Sequence, residues 1–287
     1  MTDFIIKRNV NTKQLSTIKI GGIINYFFDI FTKKGLKEAY AIINKSHMTY
    51  YVIGGCSKIL FPDHFFRDAL VRISNNYIIP KEHSVLVGAG TTLKKLSSYM
   101  IALGYAGFEG LLSIPGNISG ALINNAGANG NEISDTLISV ICFKNGKFIK
   151  LSKKDLIFSY RNSSLKNKDY IIYEAEFLCK SGDKDIIRSS TIFNTKRRIV
   201  TQPQNVLTLG STFKNIFTTS ISKDLDSLYV KGVKIGDLEI SKKHVNFIIN
   251  IGEGSQKNFL NILVILRTLV YNKFKYVPEN EVIILRW

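Results

Sequence analysis

The chain is poor in cysteine. Cys56, Cys142 and Cys179 are odd in number and far apart, so they form neither a disulfide framework nor the paired C-x-x-C spacing of a zinc site. That usage excludes a small disulfide-stapled secreted domain, points to a reducing compartment, and leaves no metal site expected. Long apolar runs are also missing: the longest candidate, residues 259–266, contains Asn261 and stops at Arg267, far short of a membrane span. Asp3, Lys7 and Arg8 interrupt the start of the chain, where a signal peptide needs a clean apolar stretch. A cytoplasmic protein with no membrane partner is expected. No segment repeats at a fixed period and no proline-rich or serine-rich linker marks a boundary, so domain limits must come from changes in pattern.

Acidic residues are scarce as well, 22 Asp and Glu against 39 Lys and Arg, for a net charge of +17. Such an excess attracts polyanions when it is concentrated on one face. Here it is spread along the chain in pairs such as Lys33-Lys34, Lys94-Lys95, Lys153-Lys154 and Lys242-Lys243, with no basic tail and no interleaved aromatic and arginine block. No nucleic-acid partner is expected. With 45% hydrophobic and 21% charged residues, the 287-residue chain has the profile of a globular protein and the length for two domains able to enclose a ligand.

Apolar periodicity predicts strands at residues 25–30, 50–53, 70–73, 84–89, 140–143, 148–151, 170–178, 245–250 and 282–285, and helices at 34–44, 93–103, 186–198 and 256–274. Lys144-Asn145-Gly146-Lys147 reads as the turn of a hairpin. The class is α+β, in domains 1–190 and 191–287.

Four loops stand out by residue type. Strand residues 50–53 run into Gly54-Gly55-Cys56-Ser57-Lys58-Ile59, whose adjacent glycines let backbone N–H groups face a pyrophosphate, although the three-glycine dinucleotide fingerprint is absent and a plain tight turn competes with that reading. Ser113-Ile114-Pro115-Gly116-Asn117-Ile118-Ser119-Gly120 and Asn124-Asn125-Ala126-Gly127 are too polar for core and suit a large, planar, polar ligand; an ordinary surface loop is the alternative. Tyr160-Arg161-Asn162-Ser163 and Gly210-Ser211-Thr212-Phe213-Lys214-Asn215 are each unremarkable alone.

Taken in order, with Ser241-x-Lys243-His244-x-Asn246-Phe247-Ile248-x-Asn250 and the terminal Glu281-Val282, these motifs resemble the UDP-N-acetylenolpyruvoylglucosamine reductase family, also called UDP-N-acetylmuramate dehydrogenases, over nearly the whole chain. The short run from Arg161 to Ser211 looks like the group lacking the extra substrate-capping loop. The resemblance implies a vanillyl-alcohol-oxidase-type FAD-binding domain of two α+β subdomains, followed by a smaller α+β substrate-binding domain. It implies a monomeric enzyme with noncovalent FAD that takes hydride from NADPH and reduces UDP-N-acetylglucosamine enolpyruvate. Carried over residue by residue, it implies catalytic roles for Arg161, Ser211 and Glu281, substrate contacts from Tyr160, Lys214 and Asn215, and FAD contacts from Ile53, Gly54, Gly55, Cys56, Ser57, Lys58, Ile59, Gly90, Pro115, Gly116, Ser119, Gly120, Asn125, Ala126 and Gly127.

Hydride addition to the vinyl carbon drives charge into the substrate carboxylate. Arg161 would stabilise it with a fixed guanidinium fork, Glu281 would help by holding a proton, and Ser211 would protonate the adjacent carbon. Glu281 is preferred to Glu279 because it directly precedes the β-branched Val282 that opens the last strand. Arg197 and Arg198 lie near enough in sequence to meet a diphosphate, and His244 is expected to order its domain as a buried, hydrogen-bonded group. The chain departs from the family pattern at Ile23 and Asn129, in a shortened segment 232–241, at Cys56 where glycine is usual, and at Lys58 where asparagine is usual. A side chain at Cys56 would crowd a phosphate, and Lys58 would offset this by pairing with it. A rival reading is another flavin oxidase of the same fold; those often bind flavin covalently through His or Cys, and no histidine lies near the Pro115 loop.

Overall fold

In a computed structural model describing residues 2–166, 170–216 and 220–285, the chain divides into two units. The first comprises the residues up to Arg8, Tyr26–Gly55 and Asp68–Arg198; the second comprises Asn9–Asn25, Cys56–Arg67 and the chain from Ile199 onward. Where a boundary near residue 190 is expected from the sequence, the division falls at Arg198, inside the helix Lys184–Thr201, and two N-terminal segments join the second unit. They do so because Ile18, Ile20 and Leu60 are fully buried in the second unit's core, beside Leu209, Phe213, Ile248 and Leu263.

The first unit is centred on a five-stranded antiparallel sheet in the order Lys147–Ser152, Leu137–Lys144, Ile171–Leu178, Ser84–Gly88, Ile78–Pro80. The middle strand, Ile171–Leu178, is buried at nearly every position, as a strand flanked on both sides should be. Leu137–Lys144 and Lys147–Ser152 form the expected hairpin: Lys144 pairs with Lys147 around Asn145-Gly146, both with positive φ, the combination that matches strand twist in a two-residue loop. A four-stranded sheet runs Phe4–Asn11, Ile23–Ile30, Phe66–Ile73, Tyr50–Ile53, the last two strands pairing in parallel from Tyr50 and Ala69.

Helix Lys33–Lys45 buries Leu36, Ala39 and Ile43, a spacing of three and four residues, and Thr32 caps it by accepting the Gly35 N–H at 3.0 Å. Helix Leu93–Ala102 is capped in the same way by Thr92 and buries Leu93, Leu96 and Met100.

The second unit carries an antiparallel sheet ordered Leu207–Ser211, Phe247–Asn250, Leu238–Ile240, Lys234–Ile235. Helix Gln256–Phe274, with the bounds its periodicity predicts, covers it with Phe259, Ile262, Leu263, Leu266 and Val270; Ser255 caps its start, and Lys275 ends it in the left-handed region. The short strands Ile59–Leu60 and Ile283–Ile284 pair in parallel. No helix of the described residues is long and apolar enough to cross a membrane.

Charge on the five-stranded sheet is locally balanced. Lys33 pairs with Glu174 at 2.8 Å, and Tyr77 donates a short hydrogen bond to the same carboxylate; burial first, and that acceptor second, push the Tyr77 phenol far up. Glu176 receives Lys81 at 2.7 Å and the Ser84 hydroxyl at 2.8 Å. The hydrogen bond from Lys81, with help from Ser84 and against the cost of burial, lowers its pKa from 4.5 to about 2. A depressed carboxylate stabilises the fold above its unfolded pKa and loses that contribution as pH falls through the folded value. Glu176→Gln is therefore expected to lower the thermal midpoint at neutral pH, and the gap from wild type should close as pH falls from 4.5 toward about 2, followed by circular dichroism melts.

Candidate functional site

Each unit collects part of the polar loop set, and the two collections differ in kind. In the first unit backbone dominates. Strand Tyr50–Ile53 ends at the buried Ile53 and delivers Gly54-Gly55 against the segment Gly116-Asn117. A Cβ on Gly54 would lie 2.4 Å from Asn117 Oδ1, so the approach as it stands requires glycine there, and one on Gly55 would lie 3.1 Å from the Gly116 Cα, a tight contact that the backbone would have to ease. Asn117 in turn caps the short helix Ile118–Ile123, its Oδ1 accepting the Gly120 N–H and the Ser119 hydroxyl, both at 3.1 Å.

Gly90 and Thr91 close the set: Leu93 N–H donates to the Gly116 carbonyl at 3.0 Å, Ile118 N–H to that of Thr91 at 2.9 Å, and Ser119 N–H to that of Ala89 at 3.1 Å. Gly54, Gly55, Gly90, Gly116, Ser119 and Gly120 thus belong to one backbone-lined cradle, with Pro115 exposed at its margin. Beside it, Asn125 is fully buried with φ of 43°; its amide donates to Glu132 and to the Ser159 carbonyl, while its Oδ1 has no partner among the described residues. Ala126 and Gly127 lead from it into the tight pair Gly127–Ala128 with Asn131–Glu132.

Tyr160-Arg161 form the two-residue loop of the hairpin Phe158–Ser159 with Asn162–Ser163. Arg161 has φ of 54°, a left-handed backbone that costs a non-glycine residue on the order of 1 kcal/mol. Its guanidinium donates to the Gly127 carbonyl at 2.7 Å and lies 4.9 Å from the centre of the Tyr160 ring, which fixes the fork's direction. Arg197 donates to Asn129 Oδ1 at 3.0 Å.

Side chains dominate in the second unit. Strand Leu207–Ser211 slips register against Phe247–Asn250 between Thr208 and Ser211, at Gly210 with φ of 74°; this bulge re-aims Ser211 at the strand's end. Beyond it, Asn246 takes over the pairing that the strand gives up: it accepts from Phe213 N–H and donates to the Phe213 carbonyl, both at 2.9 Å, and its own carbonyl accepts Thr212 N–H at 2.8 Å. Glu281 N–H donates to the Thr212 carbonyl at 2.8 Å, and Lys214 N–H to that of Glu279 at 2.9 Å, so the C-terminal segment lies along the Ser211 loop.

The two acids then separate. Glu279 is exposed and pairs with Lys214, while the Glu281 side chain is 15% exposed and meets Lys58 Nζ at 2.8 Å. Lys58 also donates to the Ser211 carbonyl at 2.9 Å. The expected partner for Lys58 is a pyrophosphate; its partners in the structure include the two residues picked out for proton chemistry. Cys56 is buried with φ of 51°, Ser57 and Ile59 are half-buried, and Asn215 is exposed. Burial holds the His244 imidazole below its ordinary range; the residue is half-buried where full burial was expected, and its Nδ1 accepts Asn246 N–H at 3.3 Å. Sequence reasoning gave Asn117 and Asn246 no role; both are buried asparagines serving backbone, signalled by Asn117 three residues before Gly120 as a helix cap and, for Asn246, by nothing local.

The chain resembles known proteins along nearly its full length. Residues 202–285 match the UDP-N-acetylenolpyruvoylglucosamine reductase, C-terminal domain, and residues 31–152 match an FAD binding domain. The UDP-N-acetylenolpyruvoylglucosamine reductase of Clostridium novyi (strain NT) is 32% identical over 279 residues, covering 96% of this chain and 91% of that protein. The reductase of the same name from Thermotoga sp. (strain RQ2) is 32% identical over 272 residues, 93% of this chain and 89% of that one. The crystal structure of UDP-N-acetylenolpyruvylglucosamine reductase from Thermus caldophilus superposes with a TM-score of 0.86 at 28% identity, covering 99% of this chain and 100% of that chain.

The close approach of Gly54 and Asn117 lies at the end of the strand Tyr50–Ile53, inside residues 31–152, the stretch that matches the FAD binding domain. Gly54→Ala is expected to push Asn117 out of its cap, which is worth about 1 kcal/mol. The apoprotein melting midpoint should drop by roughly 2–4 °C, and flavin absorbance per polypeptide after reconstitution should fall severalfold.

Proposed function

The chain belongs to the UDP-N-acetylenolpyruvoylglucosamine reductase family, and we propose that it uses NADPH and noncovalent FAD to reduce UDP-N-acetylglucosamine enolpyruvate to UDP-N-acetylmuramate, a step of peptidoglycan precursor synthesis. One observation carries the reading beyond family membership: the proton donor and the acid that this reduction requires, Ser211 and Glu281, sit on backbone segments hydrogen-bonded to each other through Glu281 N–H and the Thr212 carbonyl at 2.8 Å. On this reading the protein works in the cytoplasm as a monomer, on small molecules, with neither a nucleic-acid nor a membrane partner.

The chemistry supplied by bound FAD is transfer of a hydride, received from NADPH, to the terminal vinyl carbon of the sugar's enolpyruvyl group. Negative charge then passes through the adjacent carbon into the substrate carboxylate. Arg161, its fork already oriented by Gly127 and Tyr160, binds that carboxylate and stabilises the added charge. Ser211 gives its hydroxyl proton to the adjacent carbon, which completes the second C–H bond, and regains a proton from water. A serine is a weak acid, so it serves only against a strongly basic centre held in place, and the bulge at Gly210 and the Asn246 brace supply the holding. Tyr160, Lys214 and Asn215 bind the substrate, the lysine charge suiting a diphosphate. In the first unit, Gly54, Gly55, Gly90, Pro115, Gly116, Ser119, Gly120, Asn125, Ala126 and Gly127 hold the flavin cofactor, and Ile53 shapes the strand that delivers the glycines; Cys56, Ser57 and Ile59, which belong to the second unit, continue the loop and add to the flavin contacts.

Anaerobic visible spectra test the reading. Flavin in the wild-type protein should bleach with NADPH and recover on adding the enolpyruvyl sugar. Ser211→Ala should bleach normally but recover roughly 10²- to 10⁴-fold more slowly, the span associated with losing a positioned proton donor. Bleaching without recovery in the wild type would mean a different substrate, and protein that binds no FAD after reconstitution would overturn the proposal.

A further inference from the structure

Lys58 has a side chain that the proposed chemistry leaves unassigned, and its surroundings are specific. The ammonium lies 2.8 Å from Glu281 Oε1 and donates to the Ser211 carbonyl at 2.9 Å, with only 26% of its side chain exposed. Its own carbonyl accepts Ile283 N–H at 2.7 Å, so the strand that follows Glu281 is tied to the residue that neutralises it. A Cβ on Gly210 would come within 3.3 Å of Nζ; the glycine before Ser211 therefore also makes room for this amine. Three stretches of the second unit, residues 56–60, 207–211 and 281–285, meet at one positive charge.

We infer that Lys58 is a positioning residue for the oxidative half-reaction, acting through Glu281 and the Ser211 backbone. The inference rests on the reductase reading above. The ion pair holds the Glu281 carboxyl beside the Ser211 loop and brings one shareable proton to it. As negative charge builds on the substrate carboxylate, a lysine N–H bond breaks and a Glu281 O–H bond forms, so the acid can donate to that charge. Once Ser211 has protonated the adjacent carbon and that charge is gone, the O–H bond of Glu281 breaks and the proton returns to the lysine, 2.8 Å away. The total charge of the pair is the same before and after, so the shift needs no further reactant.

The test uses the FAD-loaded enzyme in anaerobic stopped flow, following bleaching by NADPH and recovery by UDP-N-acetylglucosamine enolpyruvate separately. Lys58→Met should keep its flavin and its bleaching rate, while the limiting rate of recovery falls roughly 10- to 100-fold, the loss typical when a group orienting another is removed. The sugar concentration at half-maximal rate should change little. Lys58→Gln, which keeps a hydrogen-bond donor without charge, should be slowed likewise, and Lys58→Arg, which keeps the charge and the positioning but gives up no proton, should recover only part of the rate. A second readout needs no turnover: in the apoprotein, the melting shifts of Lys58→Met and Glu281→Gln should be smaller combined than summed, because each removes the same pair.

Loss of flavin from Lys58→Met with unchanged recovery in the reloaded enzyme would make Lys58 a pyrophosphate ligand and overturn the assignment. So would wild-type recovery rates in both neutral variants, or strictly additive melting shifts. Wild-type enzyme that bleaches but never recovers would overturn the reductase reading and this assignment together, which separates the two failures.

Discussion

The second unit depends on the register of its last strand. Along residues 281–285, Glu281 donates to the Thr212 carbonyl at 2.8 Å with Val282 sharing that carbonyl at 3.4 Å, and Ile283 and Leu285 donate to the Lys58 and Leu60 carbonyls at 2.7 and 3.1 Å. A slip of one residue would turn every side chain to the opposite face. It is resisted because the Val282 side chain is 4% exposed in the same core as Phe213 and Leu60. Apolar burial of one residue therefore sets where the neighbouring carboxylate points. Lys58, Ser211 and Glu281 are far apart in sequence, and this strand holds them within ion-pair and hydrogen-bond distance of one another.

Where regular pairing stops, buried asparagines replace it. Asn246 and Asn250 flank or end the strand Phe247–Asn250 and both serve irregular backbone: Asn246 satisfies both polar groups of Phe213, while Asn250 donates to the Ile18 carbonyl at 2.9 Å and accepts from Gly252 and Gly254. A buried carbonyl or N–H left alone costs more than the bond itself contributes, so each such residue converts a loop that would otherwise seek water into a fixed one. Asn117 does the same in the first unit, where its single oxygen caps a helix and limits how closely Gly54 can carry anything larger than hydrogen. These amides make rigid segments out of loops whose composition reads as flexible.

That is also why some of the structure was legible in the sequence and some was not. Helix Gln256–Phe274 was readable to the residue because its apolar spacing is regular and Ser255 precedes it, and the Asn145-Gly146 hairpin because its turn chemistry is local. Strand Phe4–Asn11 shows no alternation, being exposed over most of its length, and Leu207–Ser211 lies in a stretch that reads as loop after Pro203. The helix Ile118–Ile123 hides in a region whose Gly, Asn and Ser content argues against helix until Asn117 is recognised as a cap. Segments 9–25 and 56–67 carry no periodic signal that they belong with the C-terminal part; only the burial of Ile18, Ile20 and Leu60 shows it. The site residues were named from motif order, which gives identity but not neighbours, so the partners of Lys58 were out of reach.

The neighbours of Lys58 matter because a pair of this kind is a weak device for stability. Partly burying an ammonium and a carboxylate costs each some hydration, and their attraction returns about as much, so an apolar pair of similar volume would hold the loops equally well. Removing one partner alone is worse than removing both, since it strands a charge at 15% or 26% exposure. Stability therefore gives no reason for a lysine at this place in the loop. A charge that can move one proton to an acid, held against the carbonyl of the serine expected to act with it, does give such a reason. The same glycine bulge that turns Ser211 out of its strand leaves the space the ammonium occupies, so one backbone irregularity serves both groups.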